Sequence, residues 1–148
     1  MVTYVDPHGK ISEIDFKDIL SQATYTVLYF YPKDNTPGCA IEAKDFSALQ
    51  KDFKKLNAQV IGVSKDSTKS HRSFQTKQEL SLGLIADPET TFIQKFWARW
   101  EKKFMGRKYM GTNRNTYLLD SKGKVIHERL SVSAVGHAAE VLEFIKTL

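Results

Sequence analysis

An α/β domain with a central mixed sheet, helices on both faces and an N-terminal hairpin is the fold this sequence predicts, on three observations. Apolar runs of strand length alternate with stretches of helical periodicity, the pattern of a largely parallel sheet covered on both sides. A late turn signal, Asp120, Ser121, Lys122 and Gly123, adds an antiparallel edge. The chain has 148 residues, 41% hydrophobic and 26% charged, which suits one domain over 1–148 with a core that needs no staples.

The elements follow in order. Residues 3–5 and 10–14 flank Asp6, Pro7, His8 and Gly9 and read as a small hairpin. Phe16, Ile19 and Leu20 fit a short helical turn. The continuous β-branched and aromatic run at 26–31 is a central strand covered on both faces, ended by Pro32. Ala43, Phe46, Leu49, Phe53 and Leu56 then make one helical stripe, and four residues back from Ala43 the stripe lands on Cys39. Residues 60–64 form a second buried strand. The polar segment from Asp66 to Leu80 reads as a helix, with His71, Phe74 and Gln78 at helical spacing. Leu84, Ile85 and Ala86 make a short strand ended by Asp87 and Pro88. Thr90 or Thr91 is the expected cap of a helix carrying Phe92, Ile93, Phe96 and Trp97, whose end the stripe leaves open. Residues 115–119 and 124–127 form the late hairpin. A closing helix follows with Val135, Ala138, Leu142 and Ile145, capped by Ser131 or Ser133.

Composition narrows the function classes. Four prolines and eight glycines do not suggest disorder or collagen. No run approaches 18 apolar residues, and the N-terminus lacks a basic region followed by an apolar one, so neither a membrane span nor a signal peptide is expected. The expected setting is cytoplasmic. The net charge of +5 resides in residues 95–109, where six basic residues meet Glu101 alone and aromatics are interleaved. Such a stretch can clamp single-stranded nucleic acid or form a solvated rim. Without any zinc-finger or RNA-binding signature, nucleic acid is not an expected partner.

Cys39 is the only cysteine, which excludes an internal disulfide, a CxxC pair and a thiolate zinc cluster. Its position just past the first central strand, in a helix's first turn, exposes it to backbone N–H groups and the positive end of the helix dipole, both of which favour thiolate. Pro37 and Gly38 shape the preceding backbone, and Thr36 offers a hydroxyl. His71, His127 and His137 are too scattered to nominate a base and read as surface or core-edge residues. On the residues alone two readings stay open: a reactive nucleophile, and a small buried hydrophobe with an inert thiol.

Pro32, Thr36 and Cys39 have the peroxiredoxin spacing, and the ten residues 30–39 resemble the subgroup called bacterioferritin comigratory protein, or PrxQ. The resemblance continues at Glu42, Asp45 and Phe46, at 101–103 and 109–111, at Arg114, through 116–120, and at Gly136 and His137. It implies a thioredoxin-like fold and a thiol-dependent peroxidase of the EC 1.11.1 type, without cofactor or metal. The resemblance makes Cys39 the peroxidatic cysteine, Thr36 its hydroxyl partner, Pro32 the shield over the pocket and Arg114 the guanidinium at the sulfur. Gly38 and Cys39 supply backbone N–H donors. The implied partners are a hydroperoxide and an external thiol such as thioredoxin, glutaredoxin or glutathione, and the implied state is a monomer. Two alternatives remain, a thioredoxin-like binding or chaperone module without turnover and a glutaredoxin-like transferase. The chain departs from the pattern where many members carry a resolving cysteine, five residues after the first: here that position is Lys44. It departs again around Trp97 and Trp100, and in the family's usual N-terminal lead-in.

Overall fold

Seven strands form one sheet in the order β2-β1-β5-β4-β3-β6-β7 in the computed structural model, which describes residues 1–31, 33–100, 115–129 and 136–148. The first hairpin is β1 (Val2–Val5) with β2 (Ile11–Ile14), turned at Gly9, whose φ of 85° is a conformation glycine adopts without strain. After α1 (Phe16–Leu20), capped by the Asp15 carboxylate, come β3 (Tyr25–Phe30), α2 (Pro37–Ala48), α3 (Gln50–Lys55) and β4 (Ala58–Ser64). Then follow α4 (Thr68–Gln78), β5 (Gly83–Ala86), α5 (Thr91–Trp100), β6 (Thr116–Asp120), β7 (Val125–Arg129) and α6 (His137–Lys146).

The centre of the sheet is parallel: β3 pairs β4 from Tyr25↔Ala58 to Phe30↔Val63, and β4 pairs β5. Antiparallel pairing of β3 with β6, β6 with β7, and β5 with β1 completes a mixed sheet. Alternation along β3 explains two separate cores. Val27 and Tyr29 join Tyr31, Cys39, Phe46, Phe74 and Leu142 on one side, while Leu28 and Phe30 join Ile19, Ile61, Ile93 and Phe96 on the other.

Four details differ from the sequence reading. The single stripe from Ala43 to Leu56 is two helices, because Leu49 leaves helical geometry (φ −96°, ψ 7°) while keeping the apolar face in phase. Neither Thr90 nor Thr91 caps α5 by its side chain. Thr90 turns with φ 60°, and the buried Asp87 carboxylate takes the N–H groups of Phe92 and Ile93. The N-cap of α6 is Gly136 (φ 78°); Ser131, Ser133 and Val135 lie outside the described residues. His71 and His137 are fully interior, contrary to a surface or core-edge reading, because each finds a polar partner inside. Most of the basic stretch at 95–109 also falls outside the described residues.

Candidate active site

Cys39 is the third residue of α2 and only 1% exposed. β3 ends at Phe30, and the chain reaches α2 through a short loop at 33–36 that opens beyond the carboxyl ends of the parallel strands. Ligand sites in such sheets lie at that edge. Thr36 is the N-cap residue in extended backbone (φ −88°, ψ 153°), Pro37 takes the first helical position, and the Ala40 N–H donates to the Thr36 carbonyl. Gly38 and Cys39 therefore contribute amides of the helix's first turn. Cys39, Ala43 and Phe46 turn into the core, whereas Ile41 and Lys44 face outward. Glu42, one turn beyond the cysteine, is wholly buried.

Three of the five sequence-predicted site residues, Thr36, Gly38 and Cys39, thus share one helical turn. Pro32 and Arg114 lie outside the described residues. The Thr36 hydroxyl does not cap the helix; it donates to the Lys33 carbonyl at 3.0 Å. Asn35 supports this turn with φ 60°, a left-handed conformation that asparagine tolerates better than most residues.

Sequence reasoning passed over a buried network behind the loop. Asp34 is 4% exposed. Its Oδ1 accepts the Tyr31 hydroxyl at 2.6 Å, and its Oδ2 accepts the Ser70 hydroxyl at 2.9 Å and meets His71 Nδ1 at 2.7 Å. The Asp34 N–H donates to Asp66 Oδ2, which also accepts the Ser64 hydroxyl. His71 Nε2 donates to the Ile85 carbonyl at 2.9 Å. Burial, reinforced by the adjacent Asp34 charge, pushes the Tyr31 phenol well above its ordinary value. The signal was present in the sequence, since His71 occupies the same helical stripe as Phe74, a position that demands an interior partner.

Asp34, Asp66 and His71 bring three potential metal-ligand atoms within 4.8 Å of one another. His71 Nδ1 and Asp34 Oδ2 meet directly at 2.7 Å. The three residues are joined by direct hydrogen bonds, His71 to Asp34 and the Asp34 N–H to Asp66. On the opposite side of the sheet a cavity of about 840 Å³ is lined by Phe16, Leu20, Ile85, Phe92 and Phe96; it does not reach Cys39.

Residues 4–128 match the AhpC/TSA family. Peroxiredoxin Bcp of Bacillus subtilis is 43% identical over 142 residues, 95% of this chain and 87% of that protein. A Xylella fastidiosa PrxQ variant superposes with a TM-score of 0.81 at 33% identity, covering 99% of this chain and 87% of that one. The Xanthomonas campestris bacterioferritin comigratory protein, whose structures address its alkyl peroxide reduction activity, gives 0.79 at 34%, covering 99% and 89%. The interior thiol at a helix start, beside the open end of a thioredoxin-like sheet, fits these likenesses: the chain belongs to the AhpC/TSA peroxiredoxins, in the Bcp/PrxQ group, and is a thiol-dependent peroxidase with a single cysteine.

Proposed function

We propose that the Cys39 thiolate attacks the distal oxygen of hydrogen peroxide or an organic hydroperoxide. An S–O bond forms as the O–O bond breaks, and the leaving oxygen departs as hydroxide or alkoxide and takes up a proton. Cys39 becomes a sulfenic acid. The carrying observation is the position of Cys39 in the first turn of α2, directly past the carboxyl end of β3. There the dipole and first-turn amides favour negative charge on sulfur and on the leaving oxygen. The Gly38 and Cys39 amides act as donors. Thr36 joins them once its hydroxyl rotates away from the Lys33 carbonyl. Arg114 supplies a permanent positive charge at the sulfur, and Pro32 shields it. The alkyl peroxide activity of the Xanthomonas relative supports organic hydroperoxides as substrates.

With Lys44 where a resolving cysteine would stand, recycling uses an outside thiol. That thiol displaces water from the sulfenic acid to form a mixed disulfide, and a second thiol releases Cys39. Thioredoxin, glutaredoxin and glutathione have the required chemistry. The working unit is a monomer of one domain, 1–148, and the setting is cytoplasmic. No helix among the described residues is long and apolar enough to cross a membrane.

The test mixes anaerobically reduced protein with peroxide and follows sulfenate at Cys39 by rapid-quench mass analysis. Oxidation far faster than that of a small thiol is expected, and Arg114→Met is expected to slow it sharply. Parent oxidation at the small-thiol rate would sink the assignment.

A further inference from the structure

The strongest unused feature of the molecule is the buried histidine tied to the loop that delivers Cys39. His71 has no exposure. Its Nε2 meets the Ile85 carbonyl, which can only accept, so that nitrogen carries a hydrogen. Its Nδ1 lies 2.7 Å from Asp34 Oδ2, a separation that requires one proton between them. The ring is therefore a rigid strut with a hydrogen bond at each end. One end is fixed to the backbone of β5, the other to the loop at 33–36.

Asp34 is the point at which that loop is held. Among the described residues, every side-chain hydrogen bond between 33–36 and the rest of the protein involves Asp34, through Tyr31, Ser70, His71 and Asp66. Thr36 is two residues on, past the left-handed Asn35, and among the described residues its own hydroxyl bonds within the loop, to the Lys33 carbonyl. A shift of Asp34 thus passes directly into the cap and first turn of α2. Displacement of a reacting group by about 1 Å can cost ~100-fold in rate.

We infer that His71 is a positioning residue for peroxide reduction: through Asp34 it sets where the Thr36 cap and the first-turn amides stand relative to the Cys39 sulfur. This rests on the peroxidase reading above. His71 touches neither substrate nor sulfur in the role assigned to it, and its two bonds have separable consequences. The bond to Ile85 anchors the ring; the bond to Asp34 transmits its position to the loop.

Two isosteric substitutions separate them. The amide nitrogen of His71→Asn overlays Nδ1 and retains the Asp34 bond, whereas that of His71→Gln overlays Nε2 and retains the Ile85 bond. Second-order oxidation of Cys39 by hydrogen peroxide is measured for parent and both variants, with thermal unfolding alongside. Expected rate losses are about threefold for His71→Asn and ~30-fold for His71→Gln, with similar losses of melting temperature. Equal rates in the two variants beside a fast parent would overturn this inference alone. A parent reacting no faster than a small thiol would overturn the peroxidase reading and this inference with it.

A second measurement needs no substitution and covers the case of variants that do not fold. The bridging proton between His71 and Asp34 is followed by proton NMR in the parent before and after oxidation of Cys39. Its resonance is expected to move while the ring signals of His8 and His127 stay in place. An unmoved bridging proton would overturn the coupling.

Discussion

The two sides of the sheet are built on different terms. On the cysteine side the interior contains Asp34, Glu42, His71, Gln75, Thr116 and His137 among its aromatics. Among the described residues the other side's interior is more nearly apolar, its buried polar groups being Thr26 near its amino end, Asn115 beside Phe30, and Asp87, which caps α5. Interior polar groups cost stability unless hydrogen-bonded, so their concentration on one side is informative. Along β3 the two programmes alternate residue by residue: Tyr29 stacks on Tyr31 and Phe46 toward the cysteine, while Phe30 packs edge-on against Tyr117 away from it. One side stabilises the fold; the other also holds a reactive loop in place.

The sharpest way to break this comparison is at the sulfur. Cys39→Ser is expected to lose peroxide turnover by roughly a thousandfold or more while costing only about 1–2 kcal/mol of stability. Peroxide consumption measured beside urea unfolding checks both halves, and retained turnover would separate the activity from the cysteine side. Next comes Leu28→Ala, a deletion in the apolar core on the far side. It is expected to cost about 2–5 kcal/mol and to leave the oxidation rate of the folded fraction within twofold. A large rate loss there would mean that the two sides do not act separately.

The smallest effect concerns alkaline pH. Burial, with help from Asp6, pushes the Tyr4 phenol from 10.0 up to about 12. The unfolded chain releases this proton near pH 10 and the folded protein near 12. The stabilisation is therefore fully present below pH 10 and is lost as pH rises through 12, by roughly 2–3 kcal/mol. Urea unfolding at pH 9 and pH 11.5 is expected to show a smaller alkaline loss in Tyr4→Phe than in the parent. Tyr31, raised for the same reason on the cysteine side, leaves a residual slope in the variant. An identical loss in both proteins would remove Tyr4 from the alkaline sensitivity.

Much of this organisation is legible in the chain because it depends on local pattern. The β-branched run of β3, the stripe of α2, the turn at 120–123 and the placement of Cys39 at a helix start follow from period and punctuation. What escapes is tertiary. A hydrophobic stripe cannot show that Leu49 interrupts the helix, since the apolar phase continues through the break. Asp34 and His71 are 37 residues apart and look like an ordinary loop acid and a lone helix histidine until β3 and α4 bring them together. Asp87 could be read only as a strand-ending turn residue, because its capping bonds skip the nearer threonines.

Asn35 has a consequence for how this chain can drift. Its φ of 60° turns the loop so that the side chain before it is interior while the residue after it opens a helix. Asparagine, aspartate and glycine accept that geometry, and β-branched residues resist it. A valine or isoleucine there would leave every chemically active group in place by name, yet twist apart the neighbours it joins. Position 35, which carries no chemistry, is for that reason among the narrowest passages open to the sequence.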